Sequence, residues 1–341
     1  MKRRLLWSMF LLGLGGCASD EPAAPVGALR TLPMPDWAAI VFTSDAYEAT
    51  PGAPREVYCI AADGTRPQRL TYSNYQDRYA DYAEVAPASD RNRVAVRRIL
   101  SDTNGDGRLN EADAAGLFFI RLDSSVEAPI VGPESRIVGI DWSPVEDLLL
   151  YGGNGLGDIE DFFVSDLKGL DRTNLTQSES NRERYPRFDV SGSTAVFETI
   201  PADGKSQVWV YRNTQVTSGG PGTGSLPGTR YGIGSDANPS YAPDNSYIVF
   251  RRLTGLGIGG RGTWDIMTVR PNGTSLATIV SGPAYRGAPA WGTAGIIFEE
   301  IAADGAPTRL VSVAPDGTGR KDLVTIGPGY RISSPRWLQP K

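Results

Sequence analysis

Residues 239–250 run Pro239-Ser240-Tyr241-Ala242-Pro243-Asp244-Asn245-Ser246-Tyr247-Ile248-Val249-Phe250: a proline beside an aromatic, a polar turn, then an apolar strand. β-Branched and aromatic residues bounded by Pro, Asp and Asn specify a short strand entered through a tight turn. The arrangement recurs on both sides. It stands as Asp141-Trp142-Ser143-Pro144 before Leu148-Leu149-Leu150-Tyr151, as Pro186-Arg187-Phe188 before Ala195-Val196-Phe197, and as Pro289-Ala290-Trp291 before Ile296-Ile297-Phe298. A degenerate copy is Val85-Ala86-Pro87 before Val94-Ala95-Val96. The aromatic positions 142, 188, 241, 291 and 337 are separated by 46, 53, 50 and 46 residues. Four short strands and their turns consume roughly 40–50 residues, which is the period of a propeller blade.

Each copy continues into a second apolar strand and a polar turn. Val57-Tyr58-Cys59-Ile60 leads to Asp63-Gly64-Thr65, Ile266-Met267-Thr268-Val269 to Asn272-Gly273-Thr274, and Leu310-Val311-Ser312-Val313 to Asp316-Gly317-Thr318. Asp-Gly and Asn-Gly supply the positive φ angles that two-residue hairpins need. Six units can be counted. The last motif, Ser334-Pro335-Arg336-Trp337, has no strand after it, whereas Ala39-Ile40-Val41-Phe42 is a strand with no motif before it. The two halves predict an all-β fold over residues 37–341: a six-bladed β-propeller closed by pairing of its N- and C-terminal strands, with no open sheet edge. The 40 glycines and 25 prolines agree with many short strands and minimal helix. Residues 218–234, rich in Gly and Pro, are expected to form a blade-to-blade excursion, and Gly255–Gly260 a hairpin loop without the helix that a phosphate site uses.

The first residues belong to a different layer of organisation. Lys2, Arg3 and Arg4 precede the apolar run Leu5–Leu14, which ends in Leu14-Gly15-Gly16-Cys17. Charge, apolar length and small residues in this order resemble a bacterial lipobox. The resemblance implies that residues 1–16 are a signal peptide and that the Cys17 thiol receives diacylglycerol. Residues 17–36 would then be a tether, and their Pro, Ala and acidic content suits one. Ala18, rather than Asp, after the cysteine implies sorting to an outer membrane in a diderm cell. Removing residues 1–16 takes away three positive charges and moves the net charge from −5 to −8. With no basic run, the chain lacks the electrostatic footprint of a nucleic-acid binder. Cys59, the other cysteine, lies in an apolar run and is expected to be a small buried hydrophobe.

Taken together, the Pro-x-aromatic-Ser-Pro and Asp-Gly-Thr-x-x-x-x-Leu-Thr signatures make residues 37–339 resemble the TolB-type, WD40-like propeller family. Into that frame the segment between Leu100 and Leu117 introduces Asp102-Thr103-Asn104-Gly105-Asp106-Gly107-Arg108-Leu109-Asn110-Glu111-Ala112-Asp113. Its ligand spacing matches the twelve-residue Ca2+ loop: Asp102, Asn104 and Asp106 at positions 1, 3 and 5, the Arg108 carbonyl at 7, Asn110 through water at 9, and Asp113 at 12. Asp113 replaces the usual glutamate, so residues 102–113 resemble dockerin-type repeats more closely than an EF-hand. In the repeat register the loop joins the second and third strands of its blade, and its expected role is structural.

Histidine is absent. That excludes Ser-His-Asp and Cys-His catalysis and removes the commonest transition-metal ligand. No catalytic residue and no organic cofactor are predicted. The function expected is that of a non-catalytic envelope lipoprotein, held to the membrane by its N-terminal lipid, whose propeller is a scaffold for an envelope protein partner. The alternative is a carbohydrate-binding or carbohydrate-active propeller using Asp or Glu at the central funnel.

Overall fold

The computed structural model describes residues 29–46, 53–73, 81–103, 105, 113–154, 159–212, 222–225, 235–257, 260, 262–302 and 308–339. They form an all-β, six-bladed propeller, with no α-helix among the described residues.

The first blade contains β2 (Ile40–Ser44), β3 (Glu56–Ile60) and β4 (Gln68–Arg69), while β1 (Arg30–Thr31) and β5 (Thr71–Tyr72) make a small ribbon beside it. The second is β6 (Asp81–Pro87), β7 (Arg93–Ile99), β8 (Ala115–Arg121) and β9 (Val126–Ser135). The third is β10 (Ile137–Trp142), β11 (Leu148–Gly153), β12 (Asp161–Asp166) and β13 (Arg172–Asn174). The fourth is β14 (Arg182–Phe188), β15 (Thr194–Ile200), β16 (Gln207–Arg212) and β17 (Gly222–Ser225). The fifth is β18 (Asp236–Tyr241), β19 (Ile248–Leu256), β20 (Gly262–Val269) and β21 (Ala277–Val280). The sixth holds β22 (Tyr285–Arg286), β23 (Ala290–Gly292), β24 (Gly295–Ile301), β25 (Thr308–Val313) and β26 (Lys321–Ile326). The last strand, β27 (Ile332–Trp337), returns to the first blade.

Closure is explicit in the register. β27 pairs antiparallel with β2, Ile40 opposite Trp337 and Ser44 opposite Ile332, and the Leu338 amide donates to the Ala39 carbonyl at 2.8 Å. The inner strands touch in sequence around the ring, β27 to β6, β10, β14, β18, β23 and back to β27. As expected, the segment 102–113 falls between the second and third strands of its blade. The stretch 218–234 is more than an excursion, because residues 222–225 add the outer strand of blade four.

The core consists of six wedges, one between each pair of blades, because every blade is buried on both faces. Val41, Val57 and Cys59 face the wedge shared with blade two; Ile40, Phe42, Tyr58 and Ile60, one residue out of phase, face the wedge shared with blade six. Leu149 and Tyr151 likewise turn to blade two and Leu150 to blade four. Period-two strands buried on both faces read as unbroken apolar runs, which accounts for the sequence pattern. Burying a Leu, Ile or Phe side chain contributes about 1.5–3 kcal/mol, so the wedges drive the fold.

The Asp-Gly turns do two things. Asp63 and Asp316 accept from the backbone and hydroxyl of the Thr two residues on, at 2.6–3.0 Å. Gly64 and Gly317, both at φ +84°, lie against the outermost strand of the preceding blade: a Cβ there would stand 2.4 Å from the Leu323 carbonyl or 2.3 Å from that of Ile279. Only glycine satisfies both the turn and the close approach.

Candidate functional site

Four inner strands, β10, β14, β18 and β27, bend at a bulge as they run down the axis. The residue there takes a left-handed conformation: Gly139 at φ +80°, Tyr185 at +51°, Asn238 at +51° and Ser334 at +53°. In the last three cases a proline follows. Bulges re-aim the side chains around them and free a backbone N–H from the ladder. At three of the four the preceding blade receives that N–H with a buried carboxylate. The Gly139 amide donates to Glu84 Oε1 at 3.0 Å, and the Ser334 amide to Glu299 Oε1 at 2.8 Å. Glu198 accepts the Asn238 amide in the same manner.

The bulges surround the upper end of the axial channel, which widens there into a cavity of about 380 Å3. Its charged lining is Arg55, Arg97, Arg187, Arg251 and Arg331 with Glu84 and Glu299, and Tyr185, Tyr285 and Tyr330 supply rings. Most of these arginines have defined partners. Arg55 grips Asp81 through Nε at 2.9 Å and Nη2 at 2.6 Å, and Arg331 Nε meets Asp45 at 2.8 Å. Burial would raise the Asp81 carboxyl, but Arg55 and then Arg331 outweigh it and hold the group below the usual range. Arg97 Nε lies 3.0 Å from Glu84.

Two cations are bound differently. Arg187 donates to the carbonyls of Ile140 and Pro186, both at 2.8 Å. Arg251 donates to the Arg286 carbonyl at 3.1 Å and the Tyr285 hydroxyl at 3.4 Å, and its guanidinium lies 4.1 Å over the Trp264 ring. Glu299 faces Arg251, and burial pushes its carboxyl up to about 7 despite that guanidinium and the amides of Ser334 and Ala288. The lining itself carries five guanidinium groups to two carboxylates, with aromatic walls, in a protein whose net charge is −5. Its acids hold the backbone. No nucleophile stands beside a general base among its described residues, so the arrangement can bind and orient an anion.

These residues had a sequence signal that only the repeat register exposes. The second strand of each blade carries one residue directly after its central apolar run: Thr43 after Phe42, Arg97 after Val96, Glu198 after Phe197, Arg251 after Phe250 and Glu299 after Phe298, with Gly152 after Tyr151. Superimposed, they form one ring.

Of the residues predicted to bind Ca2+, Asp102 and Asp113 are described, and Asn104, Asp106, Arg108 and Asn110 lie outside the described residues, as does Cys17. Asp113 is 1% exposed and its Oδ1 accepts from the Thr103 amide at 2.9 Å and hydroxyl at 3.3 Å. Asp102 Oδ1 accepts from the Gly105 amide at 2.7 Å. The two ends of the twelve-residue segment thus meet. No group of three or more metal-binding side chains is formed among the described residues.

No family model matches the sequence, and no curated protein matches it. Solved structures do. The chain superposes on TolB from Acinetobacter baumannii with a TM-score of 0.64 and 14% identity, covering 89% of this chain and 67% of that one. The fold is TolB-like. A nidogen/laminin complex gives 0.61 at 11% identity, with 89% and 99% covered. An oligogalacturonate lyase in complex with manganese gives 0.51 at 12% identity, with 88% and 75% covered. At these identities the likeness concerns architecture, which binding proteins and enzymes share.

Proposed function

We propose that this protein is an envelope scaffold, anchored through Cys17, whose cationic channel mouth docks an acidic segment of a protein partner. The observation that carries the reading is the pair Arg187 and Arg251, which are hydrogen-bonded to carbonyl and phenol oxygens and set among Tyr185, Tyr285 and Tyr330. Arg and Tyr are the residue types that anchor protein interfaces, since each combines a large rigid surface with directed donors. The TolB-like architecture and the likeness to a propeller solved in a nidogen/laminin complex support a binding role. Periplasmic or outer-membrane placement accords with the same architecture and with the lipobox.

The test is affinity capture of the full lipidated chain under crosslinking, read by quantitative mass spectrometry, beside Arg251→Ala and Arg187→Met. A stoichiometric partner that is lost from both variants, and that elutes as salt rises, is expected. Equal capture by variants and parent would overturn the reading. Turnover of an acidic oligosaccharide, abolished by Glu84→Gln or Glu299→Gln, would establish the alternative of a carbohydrate-active funnel.

The segment 102–113 is proposed to hold one structural Ca2+. The contact of Asp113 with Thr103, which draws the ends of the segment together, supports this, because a cation offsets the repulsion of carboxylates brought into one loop. Calorimetry and hydrogen exchange should show Ca2+ protecting residues 102–113, with Mg2+ a poor substitute. Equal Ca2+ binding by the Asp102→Ala, Asp106→Ala double variant would sink the assignment.

A further inference from the structure

The inner strands that open the cationic mouth finish at the other end of the channel, and there the repeated motif assembles a second cavity of about 350 Å3. Trp142, Phe188, Tyr241, Trp291 and Trp337, the aromatics of five blades, stand together in its wall. Among them sits Arg336, the residue before Trp337, only 6% exposed. Its Nη1 donates to the Pro335 carbonyl at 3.1 Å, whereas Nε and Nη2 are buried with no hydrogen-bond partner among the described residues. The Trp337 indole N–H is in the same condition.

Neighbouring blades supply no counter-charge to this guanidinium. The positions corresponding to Arg336 in the adjacent inner strands are Ala86 and Ala290, both buried. The cavity has two carboxylates, Asp141 and Asp189, and both serve their own turns. Asp141 accepts from the Phe188 amide at 2.8 Å and faces Arg187. Asp189 receives the amides of Ser193 and Thr194, the Ser191 hydroxyl and the Asn245 side chain at 2.7–3.1 Å. A buried guanidinium with two of its three nitrogens unmet is costly, and folding gains nothing from it.

We propose that this lower cavity is a binding site for a small aromatic monocarboxylate. The Nε–H and Nη2–H of a guanidinium are parallel, and together they grip both oxygens of one carboxylate side-on. The ring of the ligand lies among the indole and phenyl walls, where its burial adds apolar area and offset stacking. The cavity volume admits one such molecule. The site shares Arg187 with the channel mouth but differs from it in its anchor, Arg336 rather than Arg251, and its occupancy does not depend on a protein partner.

Phenylacetate is the probe, titrated into the full chain and read by intrinsic tryptophan fluorescence and by calorimetry. Phenylacetamide, of the same shape without the charge, and acetate, with the charge but no ring, are the comparisons. Phenylacetate should bind at least about tenfold tighter than either, the difference expected for a charge-assisted bidentate pair or for a buried ring. Arg336→Met, which keeps the stem, should lose at least about tenfold, and Arg251→Ala should bind as the parent does. Trp291→Leu, a milder change, should weaken phenylacetate while the melting temperature holds. This variant and the amide comparison keep the test decisive if Arg336→Met does not fold. Equal binding of acid and amide, full displacement by inorganic sulfate, unchanged affinity in Arg336→Met, or no binding at 10 mM would overturn the proposal.

Discussion

Ending the chain at Ile332 removes only the last nine residues, but the ring geometry makes the loss large. Trp337, packed on the wedge between blades six and one, and the buried Leu338 would go. Large-to-nothing losses at such positions cost about 3–5 kcal/mol for a tryptophan and about 2–3 kcal/mol for a leucine. The Ser334 amide would also vanish, leaving the buried Glu299 without its 2.8 Å donor. An unsatisfied buried acceptor costs about 1–3 kcal/mol more. In addition β2, an interior strand, would become an edge with unpaired backbone groups. These terms together reach about 6–11 kcal/mol, against a total stability of about 5–15 kcal/mol for a folded domain. The truncated chain should therefore be unfolded or barely folded at 25 °C. The assay is guanidinium unfolding followed by tryptophan fluorescence and far-UV circular dichroism on both chains. A strand that merely decorated the ring would cost less than about 1 kcal/mol. Coincident midpoints would thus refute closure by β27.

Stability should fall as pH rises from about 5 to 8. Burial raises the carboxyls of Glu183 to about 8, Glu299 to about 7 and Asp141 to about 6, so the folded state keeps protons that the unfolded chain has released. The effect is on the order of a few kcal/mol and is read as the urea midpoint at pH 5, 6.5 and 8; a higher midpoint at pH 8 would contradict it. Cys59 is buried and its thiol is pushed up to about 12 by desolvation, so a thiol reagent should reach it only on unfolding, and rapid labelling in the native state would place it wrongly. Cys17→Ser should abolish lipidation and release the protein from membranes, since the tether alone contributes no acyl burial; fractionation like the parent's would dismiss the lipobox reading.

The architecture was legible because propeller wedges write themselves into sequence. Strands buried on both faces become apolar runs such as Ile248–Phe250, and turns that abut the preceding blade become Asp-Gly. Closure was legible as a strand without a motif at one end and a motif without a strand at the other. β17 was not, because Gly222-Thr223-Gly224-Ser225, at the outer edge of its blade, has no apolar run to mark a strand. The bulges were hidden for another reason. Tyr185, Asn238 and Ser334 adopt positive φ without being glycine, a conformation that local preference disfavours and that ring geometry imposes. The channel was legible least, since its arginines come from different blades and converge only when the ring closes.

The distribution of buried charge separates what the fold requires from what it does not. Three of the bulges free an N–H in the interior that Glu84, Glu198 and Glu299 receive; an apolar side chain in their place would orphan a donor. Asp81 and Arg55, gripping one another in two hydrogen bonds, staple the second blade to the first. Arg187, Arg251 and Arg336 answer no such need. Their hydrogen bonds run to the carbonyls of Ile140, Pro186, Arg286 and Pro335 and serve no bulge amide, and replacing a buried ion by an apolar residue of similar volume is often neutral or stabilising. A ring already closed by six apolar wedges gains nothing from three half-compensated guanidinium groups on its axis. Their place in the walls of the two cavities, Arg251 in one, Arg336 in the other and Arg187 in both, each among aromatic rings, makes ligand binding the physical account of why they are there.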